Sequence, residues 1–330
     1  MPLYRFIGPR YWLLWVGLAA IRIINFLPLQ VQLRIGRAMG RMVCVFVRRV
    51  RHIAAINVGL CLPELDQVQQ GQLVRDHFAS LGCALVETGM VWWASHARLR
   101  RLISFEGMEH LERALEDKRG ALMLSAHFTT LEIGACGLTL LRPTSIMYTT
   151  PLNPLIAELS RRGRARHTVQ AISSDQIRDL IQNLKNNLPV WYAPDQRFTD
   201  KNSELVPLFG HPAASNVATS RLARISRAPV LPYFSERRAD NRGYVIRICP
   251  PLDNFPAQDA VADTRRFHEL IEAQVRRNPE QYLWAYKRFK HDGFDPYCRA
   301  KRRWPRFSPR PVRVVAAKCD NAIYTGEQDG

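Results

Sequence analysis

The chain has 330 residues, 47% of them hydrophobic and 23% charged, which is enough apolar material for one large α/β domain or two small ones and excludes general disorder. Its 47 Lys and Arg against 29 Asp and Glu leave a net charge of +18, so an anionic partner is expected: nucleic acid, the anionic face of a membrane, or an acidic protein and a phosphorylated substrate. The seven cysteines, Cys44, Cys61, Cys83, Cys136, Cys249, Cys298 and Cys319, form no C-x2-C pair, which points to a reducing compartment and excludes a disulfide scaffold or zinc ribbon.

The first predicted element is Tyr11 to Leu29, nearly continuous apolar sequence interrupted by Arg22 and Asn25 and flanked by Arg5, Arg10, Arg34, Arg37 and Arg41. A spanning helix needs about 20 apolar residues, and an arginine at its centre costs about 2.5 to 3.5 kcal/mol on insertion. A helix lying in the interface with its arginines reaching for phosphates fits the same residues, and so does a buried core helix. No small-residue cleavage site follows, so the segment is expected to be a retained anchor over residues 1–40. Basic residues crowd downstream of it, which places the body on the cytoplasmic side.

Residues 52 to 101 are expected to be helical, with a helix starting at Leu62-Pro-Glu64 and ending at Trp92 and Trp93. Strands then alternate with helices. The predicted strands are Ala121 to Ala126, Thr144 to Thr149, His167 to Ile172, Leu188 to Ala193, Ala228 to Phe234 and Tyr244 to Cys249. The predicted helices are Leu131 to Leu141, Leu155 to Arg164, Asp175 to Asn186 and Ala213 to Ser226, then 259 to 277, and a short basic amphipathic helix over Pro279 to Lys290. The fold class is therefore α/β, a mixed and largely parallel sheet flanked by helices, with an N-terminal membrane helix. A body over 41–295 and an irregular tail over 296–330 complete the expected organisation.

The stretch with most chemical content is Ala121-Leu-Met-Leu-Ser-Ala-His127-Phe-Thr-Thr-Leu-Glu132. On one helix, residues five apart sit about 140° apart around the axis, so His127 and Glu132 are assigned to different elements: the histidine to the C-terminal end of a strand, the glutamate to the first turn of the next helix. Ligands of open α/β sheets bind at such strand ends. An imidazole held by a carboxylate there can take a proton from a hydroxyl and return it to a leaving group. The same two residues also suit a strand-end histidine capping backbone groups and a carboxylate favoured by the helix dipole. No G-x-S-x-G elbow appears and no cysteine is spaced to pair with a histidine or a metal, so an attacking hydroxyl would belong to the substrate.

Several blocks together resemble the late acyltransferases of lipid A biosynthesis. They are the strand with His127 and Glu132, the cluster Arg162-Gly-Arg164-Ala-Arg166, Val190-Trp-Tyr-Ala-Pro-Asp195-Gln196, Val206-Pro-Leu-Phe-Gly210, Ala228-Pro-Val-Leu-Pro-Tyr-Phe234 and Pro279-Glu-Gln-Tyr-Leu-Trp-Ala-Tyr-Lys-Arg-Phe-Lys290. The resemblance spans about residues 4 to 295, and Arg10-Tyr-Trp-Leu13, Ser80-Leu-Gly82 and Leu85-Val-Glu-Thr-Gly-Met90 are most similar to the lauroyl-type members.

The resemblance implies transfer of a fatty acyl chain from acyl carrier protein to a hydroxyl of an acyl chain on the phosphorylated, Kdo-bearing lipid IVA precursor, at the bacterial inner membrane and facing the cytoplasm. It implies His127 as base and Glu132 as its orienter, in a place where glycerolipid acyltransferases usually carry Asp. It further implies functional roles for Arg164 and Asp195, which read without it as part of a solvated basic face and as a cap after Pro194. Trp284, Tyr286, Lys287 and Arg288 suit either lipid headgroups or an ordinary amphipathic core helix. No metal or cofactor is expected. A lysophosphatidate-type glycerolipid acyltransferase would share the dyad and the membrane. A nucleic-acid-binding protein would explain the charge alone, but no helix-turn-helix, zinc or RNA-recognition signature accompanies it.

Overall fold

The computed structural model describes residues 2–298 apart from Lys201. The expected irregular tail therefore lies outside the described residues except for 296–298. Five helices come first: α1 (Trp12–Ile24), α2 (Leu29–Phe46), α3 (Arg48–Cys61), α4 (Gln67–Trp93) and α5 (His96–Leu102). An α/β body follows, with β1 (Ile103–Glu106), α6 (Met108–Glu116), β2 (Ala121–Leu124), α7 (Leu131–Gly137), β3 (Ser145–Tyr148), α8 (Pro154–Ala165), β4 (Gln170–Ser173), α9 (Ile177–Lys185) and β5 (Pro189–Tyr192). The remaining elements are β6 (Ser203–Leu208), β7 (His211–Asn216), α10 (Ala218–Ser226), β8 (Val230–Arg237), β9 (Tyr244–Ile248) and α11 (Ala260–Arg277).

Seven strands form one sheet in the order β1-β9-β8-β2-β5-β3-β4, parallel throughout except where β9 runs antiparallel to β8. The mixed, largely parallel sheet expected from the sequence is thus present. Both faces are covered, which is why the central strands read as unbroken apolar runs rather than alternating ones. On one face Leu122, Leu124 and Val190 pack with Leu180 and Leu184 of α9 and Phe267 and Ile271 of α11. On the other, Ala121, Met123 and Trp191 pack with Leu111 of α6, Ile133 of α7 and Leu155 of α8.

The N-terminal segment departs from expectation. No helix among the described residues is long and apolar enough to cross a membrane, so the expected N-terminal membrane helix is not present as a span. The apolar run breaks at Pro28, leaving α1 with 13 residues. At 1.5 Å per residue that is about 20 Å, against a hydrocarbon layer of about 30 Å. The carbonyls freed at the break are satisfied inside the protein: Arg98 donates to Asn25 O at 2.5 Å and to Leu27 O at 2.9 Å, and Gln32 Nε2 donates to Leu27 O at 2.7 Å. Arg22 lies over the rings of Phe26 and Trp93. Leu18 and Ile21 face inward, while Trp12, Leu13, Val16, Ile23 and Phe26 stay exposed, Leu13 at 86%. The expected boundary at residue 40 falls inside α2, which packs along α4.

That packing is close because Gly36 and Gly40 of α2 meet Gly82 of α4. A Cβ on Gly36 would stand 2.9 Å from Cys83 Cα, and one on Gly40 or Gly82 would overlap the backbone carbonyl of Phe78 or of Gly36. The start of α4 is Gln67, not Leu62, because Asp66 accepts from the backbone N–H of Val68 and Gln69 at 2.8 Å while Gln69 Oε1 accepts from Asp66 N at 2.9 Å.

Two further corrections concern the C-terminal half. Residues Ala213–Asn216, expected as the start of a helix, belong to β7, paired antiparallel with β6 across a turn in which Phe209 and Gly210 both have positive φ. Residues 279–290, expected as a short amphipathic helix, form one 3-10 turn at Pro279–Gln281, a single bridge residue at Tyr282 and then a run of turns. Asn57 Nδ2 donates to the carbonyls of Trp284 and Tyr286 at 2.6 and 2.7 Å, so those acceptors are held in a non-helical path by a side chain. Trp284 and Arg288 are buried, which removes them from any headgroup contact.

Candidate active site

Parallel neighbours bring their C-terminal ends together, and here β2 and β5 pair with Leu124 opposite Tyr192. Three residues beyond each partner stand His127 and Asp195. The two meet: His127 Nδ1 lies 2.5 Å from Asp195 Oδ1, and the His127 backbone N–H donates to Asp195 Oδ2 at 2.9 Å. One carboxylate thus fixes both the ring and the main chain of the histidine. Asp195 is 3% exposed and His127 25%. Burial alone would push the Asp195 carboxyl up, but the charge and hydrogen bonds of His127, with Arg288 adding, outweigh it and hold the carboxyl below its ordinary range. An ionised carboxylate only accepts, so Nδ1 carries a proton, and in the neutral ring it is Nε2 that keeps the lone pair.

Glu132, expected to orient His127, does something else. It stands in the first turn of α7 and meets Arg164 from the last turn of α8, whose Nη2 donates to Oε1 and whose Nε reaches Oε2 at 3.4 Å. Each charge sits at the helix end its sign favours. The guanidinium also lies over the Tyr148 ring, 5.2 Å from its centroid, and its Nη1 is buried with no hydrogen-bond partner among the described residues. The structure therefore joins the four residues singled out by sequence two by two, as the pairs His127–Asp195 and Glu132–Arg164. The carboxylate in contact with the imidazole is Asp195 and not the expected Glu132, because the next parallel strand reaches the ring, whereas the α7 turn directs Glu132 toward α8.

Sequence reasoning missed the strap that holds the histidine loop. Thr129 N donates to Gln281 O at 2.7 Å, Leu283 N donates to His127 O at 3.1 Å, and Phe128 pairs with Tyr282 in an antiparallel bridge. The strap lies in the 279–290 block, and its sequence carries no strand period that would have announced it.

The other candidates for chemistry are few. Cys44, Cys61, Cys83, Cys136 and Cys249 are buried, and burial raises the thiols of the first four, Cys136 to about 12, so none of those four is poised as a thiolate. Cys298 is exposed, and Cys319 lies outside the described residues. Among the described residues no three His, Cys, Asp or Glu side chains converge to hold a metal ion. What the arrangement offers is a single imidazole lone pair at a strand end, backed by a buried carboxylate, with a paired guanidinium on the adjoining helix.

A sequence model of the family described as bacterial lipid A biosynthesis acyltransferase matches residues 3–291. The chain belongs to that family. It is therefore an acyltransferase. The lipid A biosynthesis lauroyltransferase of Escherichia coli K12 is 35% identical over 283 residues, covering 86% of this chain and 92% of that protein. The palmitoleoyltransferase of the same organism is 36% identical over 289 residues, covering 86% and 93%. Its myristoyltransferase is 27% identical over 288 residues, covering 86% and 88%. The first two differ in the acyl chain their names specify yet are equally similar to this acyltransferase, so overall similarity does not select a chain length. The lipid A late-acylation family anticipated from the sequence blocks is thereby shown.

Proposed function

We propose that this acyltransferase moves a lauroyl chain from acyl carrier protein to the hydroxyl of an acyl chain on the phosphorylated, Kdo-bearing lipid IVA precursor. The observation that carries the reading is the buried Asp195 carboxylate on His127 Nδ1, because it leaves Nε2 as the base. In the reaction Nε2 takes the hydroxyl proton as the substrate oxygen attacks the thioester carbonyl. The new C–O ester bond forms, the C–S bond breaks, and the imidazolium returns its proton to the departing phosphopantetheine sulfur. General-base help of this kind is worth about 10² to 10⁴ in rate. No protein nucleophile enters. Arg164, fixed by Glu132 and with Nη1 unspent, suits an anionic group of the acceptor. The +18 charge suits both an acidic carrier protein and a phosphorylated lipid.

The test is transfer from lauroyl carrier protein to the tetra-acylated, Kdo-bearing disaccharide, with lysophosphatidate as competitor acceptor. Wild-type protein should acylate the disaccharide and ignore lysophosphatidate, and His127→Ala should lose at least about 10²-fold in kcat while remaining folded. Preference for lysophosphatidate would transfer the protein to the glycerolipid reaction, and near-normal turnover by His127→Ala would remove the base.

The same proposal places the enzyme on the cytoplasmic face of the inner membrane, with α1 lying in the interface rather than crossing it. Support comes from the exposed Trp12, Leu13, Val16, Ile23 and Phe26, together with the exposed Arg10, Arg34 and Arg41 that flank them in sequence. Each large apolar side chain sunk into acyl chains contributes about 1.5 to 3 kcal/mol, so Leu13→Ser with Phe26→Ser should weaken binding to phosphatidylglycerol-containing vesicles by about 100-fold or more. Unchanged sedimentation of the double variant with those vesicles would place the contact elsewhere.

A further inference from the structure

Thr129 lies two residues past His127 and is buried, and its polar groups meet two separate partners. Its N–H donates to Gln281 O at 2.7 Å, and its hydroxyl lies 2.7 Å from Ser80 Oγ on α4. Arg237 Nη1 donates to Ser80 Oγ at 2.9 Å, so Ser80 links the guanidinium to the Thr129 hydroxyl. Arg237 in turn forks onto Glu87 through Nε at 2.7 Å and Nη2 at 2.8 Å, and Tyr244 Oη donates to the same carboxylate at 2.8 Å. Gln281 closes the ring from the other side: its Oε1 accepts from Arg237 N at 2.8 Å and its Nε2 donates to Arg237 O at 3.2 Å.

Every member of this ring is buried. Desolvating an ion pair this thoroughly costs several kcal/mol per ion, and apolar replacements of similar shape are commonly as stable, so stability alone is a poor reason for such a device. Its two free ends both terminate on the loop that carries His127. The imidazole itself is set by Asp195, and the main chain around it is held at His127 N by Asp195, at His127 O by Leu283 and at Phe128 by the bridge to Tyr282, so the contacts of Thr129 fasten the next peptide along.

We propose that Thr129 is a positioning residue for the transfer reaction, clamped between Ser80 and Gln281 so that the main chain after His127, and with it the direction of Nε2, is fixed. The proposal rests on the reading of His127 as the base. Glu87 and Arg237 orient the clamp from α4 and β8. They never meet the reacting atoms.

The experiment compares Thr129→Val, Thr129→Ser and Ser80→Ala in the full-length protein, with kcat, KM, the melting temperature and the His127 Nδ1–H resonance of ¹⁵N-histidine-labelled protein, assigned by its loss in His127→Ala. Misplacing a catalytic group by a fraction of an ångström is expected to cost about tenfold in kcat, so Thr129→Val should lose about that much with KM within about twofold. Thr129→Ser, which keeps the hydroxyl, should recover at least about half of wild-type kcat. Ser80→Ala should match Thr129→Val, and the double variant should be no worse than either single one, because both remove the same bond. The His127 resonance should move in Thr129→Val and return in Thr129→Ser. A folded Thr129→Val enzyme with wild-type kcat, or a serine variant as slow as the valine one, would overturn the proposal. Wild-type turnover by His127→Ala would instead overturn the base, and the resonance would then decide the clamp by itself. If Thr129→Val does not fold, Ser80→Ala carries the same comparison.

Discussion

Asp195→Asn should lower kcat by about 10⁴ with little change in KM, because an amide can present its NH2 to Nδ1 and stabilise the wrong imidazole tautomer, taking the lone pair away from Nε2. The geometry makes this the sharpest available distinction between two carboxylates that sequence alone treats as rivals. Asp195 accepts from both the ring and the main-chain N–H of His127, whereas Glu132 is engaged by Arg164. Glu132→Gln should therefore act through Arg164, chiefly by raising KM for the acceptor, with a loss of kcat well short of the Asp195 variant. Steady-state kinetics on the two purified variants decide the matter. A kcat collapse in Glu132→Gln beside a tolerated Asp195→Asn would return the orienting role to Glu132.

Gly82→Ala should destabilise the fold by about 3 kcal/mol, at the upper end of what overpacking a tight interface costs. The added methyl would overlap the carbonyl of Gly36, and that neighbour is backbone, so it cannot swing aside as a side chain would. Gly40→Ala should behave alike against the carbonyl of Phe78. Gly17 in α1 provides the contrast: a Cβ there meets nothing within 4 Å, and alanine in a helix interior is favoured over glycine by about 1 kcal/mol. Thermal melts should separate the pair by several degrees. Equal melting of Gly82→Ala and Gly17→Ala would show that α2 can lift off α4 without cost.

The parts of the fold visible in sequence were those where one physical signal dominated. All six strands expected from apolar runs are present, because both faces of β2, β5 and β8 are covered and leave no polar interruption. β1 was not anticipated: Ile103–Glu106 pairs only at the sheet edge beside β9, and its burial alternates with exposed residues too briefly to stand out. β7 was mistaken for helix because Pro-Ala-Ala-Ser favours helix or turn locally, and only pairing with β6 draws it out. Tertiary hydrogen bonds similarly overrode the amphipathic pattern of 279–290.

The site was legible as a set of residues and not as a set of bonds. Spacing located His127 at a strand end and Glu132 in a helix turn, and both positions hold. Proximity in sequence then suggested their pairing, while the partner that touches the ring comes from 68 positions away. A signal existed. His127 and Asp195 follow two predicted strands at nearly equal distances, and adjacent parallel strands deliver such residues to one spot. What no pattern in the sequence supplied was strand order, since β2 neighbours β5 and β8 and neither is next to it in the chain.

The tie between the histidine loop and Gln281, Tyr282 and Leu283 has a consequence for how the enzyme is made. The dyad residues are translated early and midway, yet the peptide that steadies their loop emerges from the ribosome after them, beyond α11. A nascent chain carrying both halves of the pair still lacks its last fastening, so competence for acyl transfer arrives only as synthesis of the body nears its end.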